Sequence, residues 1–144
     1  MSEVRTSLRT GRSKAIGASL RGWVAGQMVR LVVNLDAELR VRTPYDTGWA
    51  RANWIWSVGV PALATFGSRA AVSVQTSVAA MISAILAAAR TGKIYVSNNV
   101  PYIVDLDEGS SQQAPRGFVR MAVRTAVASA RYAAQTASRA GASL

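Results

Sequence analysis

The sequence contains neither cysteine nor histidine. Those two absences remove disulfides, thiolate and imidazole metal sites, cysteine nucleophiles and every triad built on a histidine base. Acidic residues are scarce as well, with only Glu3, Asp36, Glu38, Asp46, Asp105, Asp107 and Glu108. A metal would have to be held by carboxylates alone, and only Asp105, Asp107 and Glu108 cluster. Hard-cation sites draw oxygen ligands from more than one segment, so this cluster reads as a solvated acidic edge. Nothing has the spacing of a phosphate-cradling glycine loop. No catalytic residue, metal or cofactor is expected.

What the chain has instead is arginine. Seventeen Lys and Arg against seven Asp and Glu give a formal charge of +10 over 144 residues, and the excess is spread over both halves. Such a balance favours polyanionic partners, either nucleic acid or acidic protein surfaces, and opposes self-association unless neighbours neutralise it. A GC-rich genome also raises the share of arginine over lysine, so charge alone does not establish DNA binding. The length suits one domain able to bury about two-thirds of its unfolded surface.

Along the chain, residues 1–16 hold Arg5, Arg9, Arg12 and Lys14 among Ser, Thr and Gly, with few sizeable apolar groups. They read as a basic, mobile or partner-ordered arm and are candidates for DNA-phosphate contacts. The arm is acid-poor like a transit peptide but lacks the apolar run of a secretory signal. Leu20, Val24, Met28, Leu31, Val32, Leu35 and Leu39 recur at threes and fours, predicting a core-facing helix that ends near Arg42, ahead of Pro44. Trp54, Trp56 and Val58 alternate with Ile55 and Ser57 as a strand within 52–58, and Ile94 to Val96 begin a second strand within 93–98. Ala70 to Ala89 is uncharged and long enough to cross a membrane, but its serines, threonine and glutamine dilute it. Val78, Met81, Ile82, Ile85 and Leu86 make it a helix packed on a sheet, with no membrane partner expected. From Phe118 a last helix runs to about Ser138. The expected fold is α+β: a long N-terminal helix, a small antiparallel sheet and two further helices, one of them C-terminal, in a domain over 17–138, with 139–144 as a flexible terminus.

Two blocks are denser in instruction than the rest. The first reads Thr43-Pro44-Tyr45-Asp46-Thr47-Gly48, then Arg51, Asn53 and Trp54. Its Asp-Thr-Gly triplet is also that of dimeric aspartic peptidases, which place it after a hydrophobic strand and before a small residue so that two carboxylates share a proton. Here Arg-Thr-Pro-Tyr precedes and Trp49 follows, which reads as a turn: Asp46 accepts from nearby N–H groups and Gly48 takes a conformation other residues avoid. The second block runs from Asn98 and Asn99 through Pro101 and Tyr102 to the acidic edge, then Gly109, Gln113, Ala114, Pro115 and Phe118. Arg116, Arg120, Arg124 and Arg131 follow at intervals of four, four and seven, within an arc of about 80° on a helix. With little aromatic interleaving, any nucleic-acid contact there would be to phosphates.

In this order the two blocks resemble the neck or tail-completion proteins of long-tailed bacteriophages. Tyr45 and Trp49 depart from the family's pattern, standing where a small aliphatic and an arginine are common. The resemblance implies a structural, non-catalytic virion protein at the head–tail junction, made in the host cytoplasm. Subunits would form a ring, sixfold to match a tail tube, around the DNA channel. Their partners would be the tail terminator, the tube and the head connector or stopper. Asp105, Asp107 and Glu108 would meet an arginine face of the next subunit, with Arg116, Arg120, Arg124 and Arg131 as the candidate cations. Terminator and head-closure proteins of the same neck share this size and character, and a basic nucleic-acid-binding module is the alternative of another class.

Overall fold

The structure is a computed structural model that describes residues 2–67, 78–88 and 92–141. Among the described residues five helices and two strands follow in the order α1 (Ser2–Arg42), α2 (Trp49–Ala52), β1 (Ile55–Val58), α3 (Val78–Ala88), β2 (Ile94–Ser97), α4 (Ile103–Asp107) and α5 (Phe118–Gly141). The expected α+β architecture is present, with helix dominating.

Helix α1 has 41 residues, a length of about 60 Å. Among its described side chains Ala25, Val32 and Leu39 are the buried ones, seven residues and therefore nearly two full turns apart, so they form one row facing the core. Helix α5 answers with Phe118, Ala122 and Ala126, all without solvent exposure, at four-residue spacing. The two alanines have no bulk to hold the backbones apart. Arg42 Nη2 donates to Thr125 Oγ1 (3.2 Å) near one end of the contact, and Asn34 Nδ2 to Ser129 Oγ (3.3 Å) further along. The helices therefore run antiparallel.

The contact stops well short of the start of α1. Gln135 to Ala140 of α5 are all exposed, and so are Ser13 to Val24 of α1 apart from Gly17. The helix begins at Ser2, ahead of the apolar period that starts at Leu20, and α5 continues to Gly141. Leu20 and Val24, expected in the core, are exposed. A row of residues four apart drifts about 40° around a helix at each step. Leu20 has therefore turned away from the direction Leu39 faces.

Strands β1 and β2 pair antiparallel with Ile55 opposite Ser97 and Val58 opposite Ile94, inside the two expected segments. Trp54, just ahead of β1, is buried in a cluster with Leu39, Ala114, Phe118 and Ala122. Helix α3 touches both α1 and β1. Of its expected apolar row, Ile85 is buried and Leu86 is half exposed. The rest of the uncharged 70–89 stretch lies partly outside the described residues. Among the described residues no helix is long and apolar enough to cross a membrane.

Candidate functional site

The chain leaves α1 through Thr43, a fully buried hydroxyl residue. Its Oγ1 donates back to Leu39 O, in the manner of a helix-terminal threonine, and accepts from Trp54 Nε1 at 2.8 Å. Its carbonyl accepts both Nε and Nη2 of Arg51, at 3.2 and 2.9 Å. Arg51 is thus a local clamp that closes the turn, with its guanidinium carbon 5.1 Å from the Tyr45 ring centroid. Asp36 ties the helix to the sheet by accepting from Trp56 Nε1 (2.9 Å) and Arg40 Nε (2.8 Å). In the sequence, Asp36 is marked only as an acid among the apolar positions of α1 with Arg40 four residues on.

Gly48 has the positive φ, 81°, expected of the Asp-Thr-Gly turn. A side chain there would place Cβ 2.9 Å from Tyr45 Cε2. The hydrogen bonding differs from expectation, because Thr47 Oγ1 accepts the N–H of Trp49 while Asp46 is exposed and accepts no bond from the described residues. A hydroxyl two residues before the amide closes the turn and frees the carboxylate.

Asparagine side chains hold the second layer. Fully buried Asn53 donates to Trp49 O (2.8 Å) and Phe66 O (3.1 Å) and accepts from Phe66 N at 2.6 Å. Trp49 Nε1 donates to the same Phe66 carbonyl. Asn98 Nδ2 donates to Ala50 O (2.8 Å) and Oδ1 accepts from Val100 N (3.2 Å), while Asn99 Nδ2 donates to Ala62 O and Ala64 O at 2.9 and 3.0 Å. The segment 59–67 is therefore bound along its backbone by side-chain amides.

These bonds bring the two blocks together. Tyr45 N donates to Gln113 Oε1 at 2.9 Å, and the rings of Trp49 and Tyr102 meet edge to face with centroids 5.7 Å apart. Between them lies an open cleft of about 940 Å³, with Tyr45, Trp49 and Tyr102 as aromatic walls and Asp46, Asp105 and Glu108 as its carboxylates. Pro44, Thr47, Gly48, Gly109 and Gln113 also line it. Pro101 and Pro115 are exposed and do not line it. The motif residues Thr43, Asn53, Trp54, Ala114 and Phe118 are buried behind it. Tyr45 and Trp49 are both cleft walls.

Asp107 is separate from the other acids. Its Oδ1 accepts from Val119 N at 2.9 Å and its carbonyl from Gly117 N at 2.7 Å, so it caps the first turn of α5. The arginine row is also changed. Gly117, at φ 77°, breaks the chain ahead of Phe118, so Arg116 lies outside α5, its stem within 3.3 Å of a Cβ built at Gly109. Arg120, Arg124 and Arg131 remain as an exposed row on α5, within an arc of about 40°. They make no ion pair with described residues and do not line the cleft. Lys14 is exposed, and the side chains of Arg5, Arg9 and Arg12 lie outside the described residues. Among the described residues no cluster of acids has the makings of a metal site. Comparison with protein-family models, with curated proteins and with solved structures finds no match to this chain.

Proposed function

We propose that this protein is a structural component of a bacteriophage head–tail junction, acting without catalysis to complete the tail end and join it to the head as one subunit of a ring around the DNA channel. The observation that carries this reading is the union of its two motif blocks. Residues 43–54 and 98–118 are far apart in sequence, yet their bonds and ring contacts build a single unit behind an open cleft. Enzymes also converge distant segments on a pocket, but this one is bounded by carboxylates and aromatic rings with no histidine or cysteine in the chain. Aromatic rings are enriched at protein interfaces, and unpaired carboxylates beside them complement a basic partner.

In the ring, the exposed Arg120, Arg124 and Arg131 supply a basic wall. Phosphate contacts carry no sequence register, so DNA slides past without being read. Tail terminator, tail tube and head connector are the partners of this reading.

Light scattering and negative-stain microscopy of the purified chain, alone and mixed with tail-tube and head-connector proteins, test the proposal. A discrete ring that joins either partner is the expected result. A monomer that binds neither but retains free DNA at physiological salt assigns the chain to nucleic-acid binding. Peptide cleavage lost in Asp46→Asn would assign it to the peptidases.

A further inference from the structure

Ile16, Leu20 and Trp23 are 68%, 60% and 54% exposed, although the same helix buries Ala25, Val32 and Leu39. At 100° per residue they stand within an arc of about 60°, and positions 5, 9 and 12 of the same helix, arginines in the sequence, share that register, the whole set spanning about 80°. The first half of α1 therefore carries one stripe, basic towards its start and apolar where it approaches the packed body. A row of three large apolar side chains in water is the kind of surface that marks an interaction site.

The cleft is its chemical complement. Asp36 and Glu38 are salt-bridged and Asp107 caps α5. Among the described side chains this leaves Asp46, Asp105 and Glu108 as the carboxylates without a partner, and all three line the cleft. Tyr45, Trp49 and Tyr102 add aromatic surface beside them. Guanidinium groups pair with carboxylates and stack on such rings, as Arg51 already does over Tyr45. Apolar side chains find the rest of the wall.

The stripe cannot reach the cleft of its own chain. From Arg9 to Arg42 the helix is unbroken, a separation of about 50 Å, and the cleft begins at Pro44. We propose that the stripe Arg5, Arg9, Arg12, Ile16, Leu20 and Trp23 docks in the cleft of a second copy. The two surfaces differ, so the contact is head-to-tail and repeats until it closes. It offers an interface for the ring proposed above, but it is read from the helix and the cleft alone. DNA is the weaker occupant of the stripe, because phosphates have no use for Trp23, Leu20 and Ile16.

Sedimentation velocity on the full chain and two variants tests the contact. One variant alters the stripe (Arg9→Ser, Arg12→Ser, Trp23→Ser); the other reverses the cleft (Asp105→Arg, Glu108→Arg). The wild type should assemble and each variant should be monomeric, with thermal melts followed by circular dichroism showing that both are folded. An equimolar mixture should stop at a one-to-one dimer, since the cleft variant's intact stripe fits the stripe variant's intact cleft and the remaining surfaces do not match. A wild type that stays monomeric at every concentration reached, variants that assemble as the wild type does, or a mixture without dimer would each overturn the proposal. So would a stripe variant that loses DNA retention while assembling normally. A ring that survives both variants removes this contact and leaves the neck reading in place. Assembly through the contact without affinity for tail-tube or head-connector proteins does the reverse.

Discussion

At the scale of single residues, the turn after α1 depends on groups with no substitute. Gly48 combines a positive φ with a Tyr45 ring atom 2.9 Å from any added Cβ. Gly92 has nearly the same φ, 79°, with nothing within 4 Å. Alanine at either site meets the left-handed penalty of about 1–2 kcal/mol, and only at Gly48 must the ring move as well. Urea denaturation should therefore show Gly48→Ala to be more destabilising than Gly92→Ala. Asn53 is a different dependence. It satisfies both backbone groups of Phe66 from a fully buried position, and a leucine there would leave the Phe66 amide without its partner, at about 1–3 kcal/mol. Asn53→Leu should lower stability by that amount and expose the 59–67 segment to limited proteolysis before the rest of the chain unfolds.

Between elements, the neighbouring acids Asp105 and Asp107 have opposite duties. Asp107 joins α4 to α5 by capping the latter, so Asp107→Ala should cost about 1 kcal/mol, the usual value of a lost cap. Asp105 is exposed and without a partner among the described residues, and Asp105→Ala should change stability by no more than about 0.5 kcal/mol. Comparing the two urea midpoints checks this division. Such a difference was out of reach of the sequence, which shows two carboxylates two residues apart and nothing of the amide of Val119. The elements themselves were legible where periodicity or punctuation was strong. The end of α1 before Pro44, both strands and the start of α5 at Phe118 all announced themselves. The start of α1 did not, because helix can continue through polar residues without a core to pack on, and hydrophobic periodicity reports only the packed part. The cleft was half legible. Both blocks were evident, but the aromatic walls depend on Tyr45, Trp49 and Tyr102 meeting across the fold.

For the whole molecule, salt separates the two kinds of contact that a charge of +10 makes possible. Under the proposed function, phosphate binding by Arg120, Arg124 and Arg131 would release counterions, and three such contacts would lose about 80-fold in affinity per copy between about 0.1 and 0.5 M salt. The proposed contact between copies would have another composition. Its ion pairs are screened over the same range, where the Debye length shrinks from about 10 Å towards 3 Å. Burying Ile16, Leu20 and Trp23 in that contact would not be electrostatic, and salt would not weaken it. Assembly should consequently persist where DNA retention has vanished, with the association constant falling by less than about tenfold across that range. Sedimentation equilibrium and filter retention of DNA, run on the same salt series, read the two slopes side by side. Parallel slopes would mean that the contact between copies is charge alone and that the exposed apolar row of α1 contributes nothing to it.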